Sequence, residues 1–260
     1  MSQFYGVVRH EFNMSIRRPG LWIAYSLLFI FYGIMWFTDA PGDELEIITD
    51  ANLWQYAGRF LLTFNLFLPL VGGILAADRM QRDFRLGVRE LQNSAPFRRS
   101  TYILGKYFGV LFSVLLPVFL WMVGFSVALI ATGKAPLGIL YALPVAFLAM
   151  AVPAFAFVTA FSLACPLIMP LRVYQILFTG YWFWGNFLNP QAFPSISETY
   201  LEAGGKHVYQ GFFGGFPDVM NMPSQYNSLD ATLNLLVLAL CVITVLFVLV
   251  RYLNWQARRA

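Results

Sequence analysis

Charge is scarce in this 260-residue chain. Only 12% of its residues are Asp, Glu, Lys or Arg and 59% are hydrophobic, whereas soluble domains carry about a quarter charged residues. Too few polar groups are present to clothe a solvated globular surface. Cysteine is scarcer still. Cys165 and Cys241, both in apolar context, provide neither a disulfide framework nor a metal cluster, and read as small hydrophobes packed in helices. The two histidines, His10 and His207, lie far apart in sequence, which leaves no histidine-based metal site in view. HExxH and a Ser-His-Asp candidate set are lacking, and so is any aromatic-basic pattern for nucleic acid. The G-x-x-x-x-G-K-[ST] cradle is missing too. Gly105-Lys106 is followed by Tyr107, Gly133-Lys134 by Ala135, and Gly205-Lys206 by His207, so no hydroxyl follows the lysine to hold magnesium. No ring of charge marks an ion filter.

Long apolar runs are what the chain has instead. Six are expected to span a membrane as helices, at 20–37, 58–77, 107–131, 139–162, 173–188 and 231–251. The fifth is short for a bilayer and can end inside protein. The expected architecture is all-α, a single membrane domain over 1–260 with no cleavable signal segment. Pro69, Pro117, Pro144 and Pro153 interrupt the spans and can kink them.

The basic residues give the orientation. With the amino terminus inside, fourteen of the seventeen lysines and arginines fall on the inner side, leaving Arg59, Lys134 and Lys206 outside. Trp22 and Trp255 then sit at the inner interface, Trp36 and Trp54 at the outer one. Both termini are expected in the cytoplasm of a prokaryotic cell, with the chain in the plasma (inner) membrane. The +4 net charge is topology, not a nucleic-acid footprint.

Before the first span, residues 1–19 read as an amphipathic helix in the inner interface. Phe4, Val8, Phe12 and Ile16 share one face, and Arg9, Asn13 and Arg17 fall opposite, toward anionic head groups. Glu11 intrudes on the apolar arc. A carboxylate there needs a partner or a route to water, and a basic side chain from the strip described next is one candidate.

Seven of the basic residues crowd into "DRMQRDFRLGVRELQNSAPFRRSTYILGKYFG", residues 78–109. Wound as a helix over 80–95, Met80, Phe84, Val88, Leu91 and Ala95 fall within an arc of about 80°. Arg82, Arg85 and Arg89 stack opposite, Leu86 is exposed among them, and Pro96 ends the helix. Asp83 follows Arg79 by four residues, a pair that can support the helix. An apolar knob ringed by arginines fits a small docking interface. A positive-inside loop with a solvated helix explains the charges equally simply. "GKYFG" at 105–109 has small residues four apart, which permits close helix approach.

This strip resembles the cytoplasmic loop of type-two ATP-binding-cassette exporter permeases (ABC type 2). Their pattern is an acidic residue, Gly-Thr-x-Glu-Leu, Ser-Thr-Pro and a closing Leu-Gly-Lys. Asp83, Gly87, Glu90, Leu91, Ser94, Pro96, Leu104, Gly105 and Lys106 match in register, while Val88 and Ala95 stand where threonine is common. The resemblance implies a permease subunit without its own ATPase, coupled through 78–106. Arg82, Asp83, Arg85, Leu86, Gly87, Arg89, Glu90, Leu91 and Pro96 would carry the coupling. Two nucleotide-binding ATPase subunits and a second permease, identical or related, would complete the assembly. ATP and magnesium would sit on the partner, with no cofactor in this chain. A membrane scaffold without a path, and an intramembrane enzyme, are the competing readings.

Two further stretches draw notice. Residues 189–229, rich in Gly, Pro, Phe and Tyr, read either as an outer segment dipping back into the membrane or as a folded cap. "YWFWGNF" at 181–187 gives span five an aromatic wall. Tyr181, Trp182 and Trp184 would suit an apolar or amphipathic cargo if they face a path, and mere packing if they face lipid.

Overall fold

Pro19 cannot continue a helix but starts one well, and the chain uses it that way. In the computed structural model, which describes residues 2–38, 48–85, 98–190, 192–215 and 226–258, α1 (Ser2–Ile16) ends just before it and α2 (Pro19–Thr38) begins on it. α3 (Leu53–Phe64) and α4 (Leu68–Ala76) follow, bent by 42° where they meet, and α5 (Asp78–Arg85) continues α4. α6 (Arg99–Ala131) is the longest helix described, at 33 residues, and carries Pro117 inside it. α7 (Ile139–Ala146), a π-helical segment (Phe147–Ala151), α8 (Val152–Ala164) and a 3-10 turn (Cys165–Leu167) form one rod of 29 residues. α9 (Leu171–Asn186), α10 (Lys206–Phe213) and α11 (Ser228–Ala257) complete the order. All regular structure among the described residues is helical.

Pro69, Pro144 and Pro153 fall where the helices lose regularity, whereas Pro117 lies inside the continuous α6. Pro69 lies in the first turn of α4, just past the α3–α4 break. The carbonyls freed there are capped by side chains from other helices. The Trp182 indole donates to Leu66 O at 2.8 Å, and the Tyr32 hydroxyl donates to Thr63 O at 2.9 Å. A break inside apolar surroundings survives because protein satisfies it. Pro144 and Pro153 flank the π-helical segment, where a widened turn absorbs the lost donors.

Two cores hold the bundle. One is an aromatic ladder joining α2, α3 and α6. Phe29 stacks on Trp121 with centroids 4.6 Å apart, and Phe60 on Phe125, also at 4.6 Å. The other packs α9 against α4, α8 and α11 through Tyr174, Phe178, Trp182, Leu70, Val158 and Leu238. α11 opens with a reciprocal cap in which Asn227 accepts from Leu229 N and Asp230 N and Asp230 accepts from Asn227 N.

Of the six crossings expected, three to four are found among the described residues. Among the described residues, three helices are long and apolar enough to cross: Arg99–Ala131, Ile139–Leu167 and Ser228–Gln256. The bent pair α3 and α4 makes a fourth if taken as one span. α2 is apolar over Pro19–Ile34. The sixteen residues of α9 rise only about 24 Å, short of a hydrocarbon core of about 30 Å. The expected helix over 80–95 is described only as α5, and residues 86–97 lie outside the described residues.

Candidate functional site

The site grows from two glycines. A Cβ on Gly109 would lie 2.6 Å from Glu11 Cβ and 2.8 Å from Val8 O, and one on Gly105 would lie 2.8 Å from Val7 Cβ. Only glycine lets α1 lie this close along α6. The close approach of "GKYFG" is thus real, and the helix it admits is α1. Phe4 also meets Phe108 edge-on at 6.2 Å. The face α1 buries is rotated from the one expected: Glu11 and Ser15 are buried, Phe12 and Ile16 only partly, while Arg9, Asn13 and Arg17 are exposed.

Between the two glycines stands Lys106, whose side chain is fully buried. Its Nζ lies 2.9 Å from Glu11 Oε1 and 2.6 Å from Asp83 Oδ2. The Tyr102 hydroxyl donates to the same Asp83 oxygen. The costly carboxylate at Glu11 therefore has its basic partner from the strip. Three helices, α1, α5 and α6, meet on one lysine. Removing one member of such a buried set strands the rest at about 3–5 kcal/mol.

The rest of α5 is tied just as widely. Asp78 accepts from Arg18 Nη1 at 3.0 and 3.2 Å, reaching the α1–α2 turn. Arg79 donates to the Ser15 hydroxyl on α1. Met80 is buried in the core. The Gln81 amide donates to Pro166 O at 2.5 Å and Met169 O at 3.3 Å, which pins α5 to the turn at residues 165–170 between α8 and α9. At the start of α6, Arg99 donates to Leu253 O of α11 at 2.6 Å. α5 is thus joined to α1, α6 and the α8–α9 turn through direct bonds.

Of the residues singled out from sequence, Arg82 is exposed and Asp83 is the α5 member of the lysine hub. Asp83 bonds to Lys106 and Tyr102 rather than pairing with Arg79 along the helix. Arg85 ends α5, and nothing is described of its side chain. Leu86, Gly87, Arg89, Glu90, Leu91 and Pro96 lie outside the described residues. The aromatic wall does not share one face. Trp182 is buried and bonds inward, Trp184 is exposed with its indole donating to Pro194 O at 2.8 Å, and Tyr181 is half-buried. Arg18, Ser15, Gln81 and Tyr102 were missed. Their signal is long-range, apart from the hint that Lys106 sits between glycines in an apolar run.

A second polar cluster lies where the segment after α9 enters the bundle, residues 202–210 being buried throughout. Asn186 accepts from Ala203 N at 2.7 Å and Gly204 N at 3.0 Å. Asn65, at the α3–α4 break, donates to Gly204 O at 3.1 Å. Asn234 of α11 donates to Glu202 O at 2.7 Å. The buried Glu202 carboxylate accepts from Gly205 N and Lys206 N, capping α10. Gly205 takes φ +101°, a left-handed conformation suited to glycine, with Met150 and Asn65 close on its Cβ side. Burial pulls the Lys206 amine below its ordinary value, against the opposing pull of Glu202 and Glu198.

A helical membrane protein with several apolar crossings and a charged hub at one end is a multi-pass membrane component. A family model described as ABC-2 family transporter protein matches residues 5–256, nearly the whole chain, and the chain belongs to that family. It is a transporter permease component, of a family that lacks a catalytic ATPase domain and implies ATPase partner subunits. Comparison with curated proteins and with solved structures returned no match.

Proposed function

We propose that this chain is one of two permease subunits of an ATP-driven exporter, with both termini cytoplasmic, and that two ATPase subunits drive it through α5 and the residues that follow. ATP and magnesium belong to those partners. The observation that carries this reading is the wiring of α5. Four of its eight residues, Asp78, Arg79, Gln81 and Asp83, each bond to a different segment, while Arg82 faces outward. A helix exposed on one side and bonded to the bundle on the other suits the passing of force. Six crossings follow if α2 and α9 are completed by their flanks and α3–α4 serve as one broken span. The buried 202–210 segment, whose backbone is held by the Asn65, Asn186 and Asn234 side chains of the bundle, favours a loop that dips back into the membrane over a superficial cap. The exposed Trp184 and half-buried Tyr181 are the members of the aromatic wall open to a cargo.

The test is co-purification of the permease with its ATPase subunit, together with ATP turnover. Charge reversal of Arg82, Arg85 and Arg89 to Glu should weaken association and flatten its salt dependence. Leu86→Asp should cost about 2 kcal/mol or more if that side chain fills a pocket. Membrane insertion should persist in both. Retention of the ATPase and of full turnover in both sets would leave the strip as a topogenic charge cluster only.

A further inference from the structure

The turn between α1 and α2 meets α4, α5 and α6 around a cavity of about 310 Å³. Arg18, Arg79 and Ser15 supply polar groups to its wall, and Leu21, Leu75 and Val114 an apolar side. No carboxylate is among the described residues that line it. Arg79 is 3% exposed, and one arm of its guanidinium donates to Ser15. Its other arm, Nη1, is buried without a partner. Arg18 spends Nη1 on Asp78, and its Nη2 is likewise buried without a partner. Burial, and then the neighbouring Arg18 charge, weigh against the Arg79 cation, while Glu11 and Asp78 favour it. Buried cationic N–H groups with nothing to donate to are unfavourable, more so than neutral ones. What the cavity wants is an oxyanion with several acceptor oxygens.

Phosphate is an oxyanion that arginine forks match bidentately. The first turn of α2 strengthens the choice, since Pro19 and Gly20 line the cavity and a helix start favours negative charge. The apolar side points to a phosphate that carries a hydrocarbon body. Trp22, whose indole donates to Ile16 O at 2.7 Å, stands exposed at the same turn, as interface anchors do.

We propose that this cavity binds a phosphate group, supplied by an anionic phospholipid, with Arg18 and Arg79 on the phosphate and Leu21, Leu75 and Val114 against its apolar part. The bound lipid joins the α1–α2 turn to α5 and so braces the hub. The site stands apart from coupling, since a permease that fails to engage an ATPase would still fill it.

Native mass spectrometry of the detergent-purified permease tests this, with titrations of phosphatidylglycerol, phosphatidylcholine and inorganic phosphate. One phosphatidylglycerol should be retained about tenfold or more tightly than phosphatidylcholine. Arg79→Gln and Arg18→Gln should each weaken it about tenfold, the loss of a charge-assisted bond. Arg172→Gln, at an exposed arginine of α9 away from the cavity, should change nothing. The half-buried Arg18 carries the test if Arg79→Gln does not fold. Equal retention of the two lipids, or wild-type binding in both Gln variants, overturns the site. Displacement of the lipid by inorganic phosphate at equal concentration overturns the lipid as its source.

Discussion

Lys106 and Asn186 are both buried polar side chains in an apolar bundle, and their surroundings satisfy them differently. Lys106 reaches two carboxylates on two other helices, α1 and α5. Asn186 accepts from two consecutive main-chain amides, Ala203 N and Gly204 N. The contrast holds around each. Near Lys106, Arg18, Arg79 and Gln81 tie whole helices together through long side chains. Near Asn186, Asn65 and Asn234 grip backbone carbonyls with short amides. Long charged arms join one helix to another. Short amide-to-backbone bonds fix a chain in one path. Under the proposed coupling the first cluster transmits and the second holds, and breaking each should show it.

The largest expected effect is at the lysine hub. Lys106→Met leaves Glu11 and Asp83 buried without their cation, a cost of about 3–5 kcal/mol. Thermal unfolding of the purified protein should report it. Adding Glu11→Gln and Asp83→Asn to Lys106→Met should restore much of the loss, since stranded charges and not missing bonds cause it. A triple variant as unstable as the single one would count against a charge-driven hub.

Gly109→Leu comes next. Its side chain must displace α1, whose Val8 carbonyl lies 2.8 Å from the Cβ position, and overpacking of this kind costs about 1–3 kcal/mol. Disulfide trapping between cysteines placed at Phe4 and Phe108, whose rings meet across the same contact, should become slower in this protein. Unchanged trapping would mean that α1 does not rest on these glycines.

Asn186→Ala should cost about 1–3 kcal/mol, the penalty for two buried amides without acceptors. It should lower thermal stability yet leave the permease's hold on its ATPase intact. An effect on association equal to that of the hub variants would erase the distinction between the two clusters. The smallest effect is expected at Arg82→Glu, which should shift stability by less than about 0.5 kcal/mol because the side chain is exposed.

Much of this was legible in the sequence and some was not, for physical reasons. Apolar runs announce membrane helices, so α6, the α7–α8 rod and α11 fall where the hydropathy puts them. Hydropathy cannot show that α3 and α4 bend by 42°, because the break depends on Trp182 and Tyr32 arriving from elsewhere to cap it. Glu11 stood out as a carboxylate in an apolar arc, which left a basic partner from the strip and a route to water equally open. That the partner is Lys106 depends on two glycines that bring α1 onto α6. Periodicity joined Asp83 to Arg79 along one helix, but a buried cation across the interface outcompetes a neighbour on the same turn. Arg18 and Arg79 looked like topogenic charge. Only the fold turns them inward together on one cavity.

The central claim is that α5 carries motion from the ATPase into the bundle with α1 attached. Spin labels at Arg82→Cys on α5, Asn13→Cys on α1 and Thr199→Cys beyond α9 measure it in the assembled complex, since all three positions are exposed. Between nucleotide-free and vanadate-trapped states, the Arg82-to-Asn13 distance should stay fixed while the Arg82-to-Thr199 distance changes. With Lys106→Met, the first distance should broaden. A complex in which α5 moves away from α1, or in which neither distance responds to nucleotide, would contradict the account.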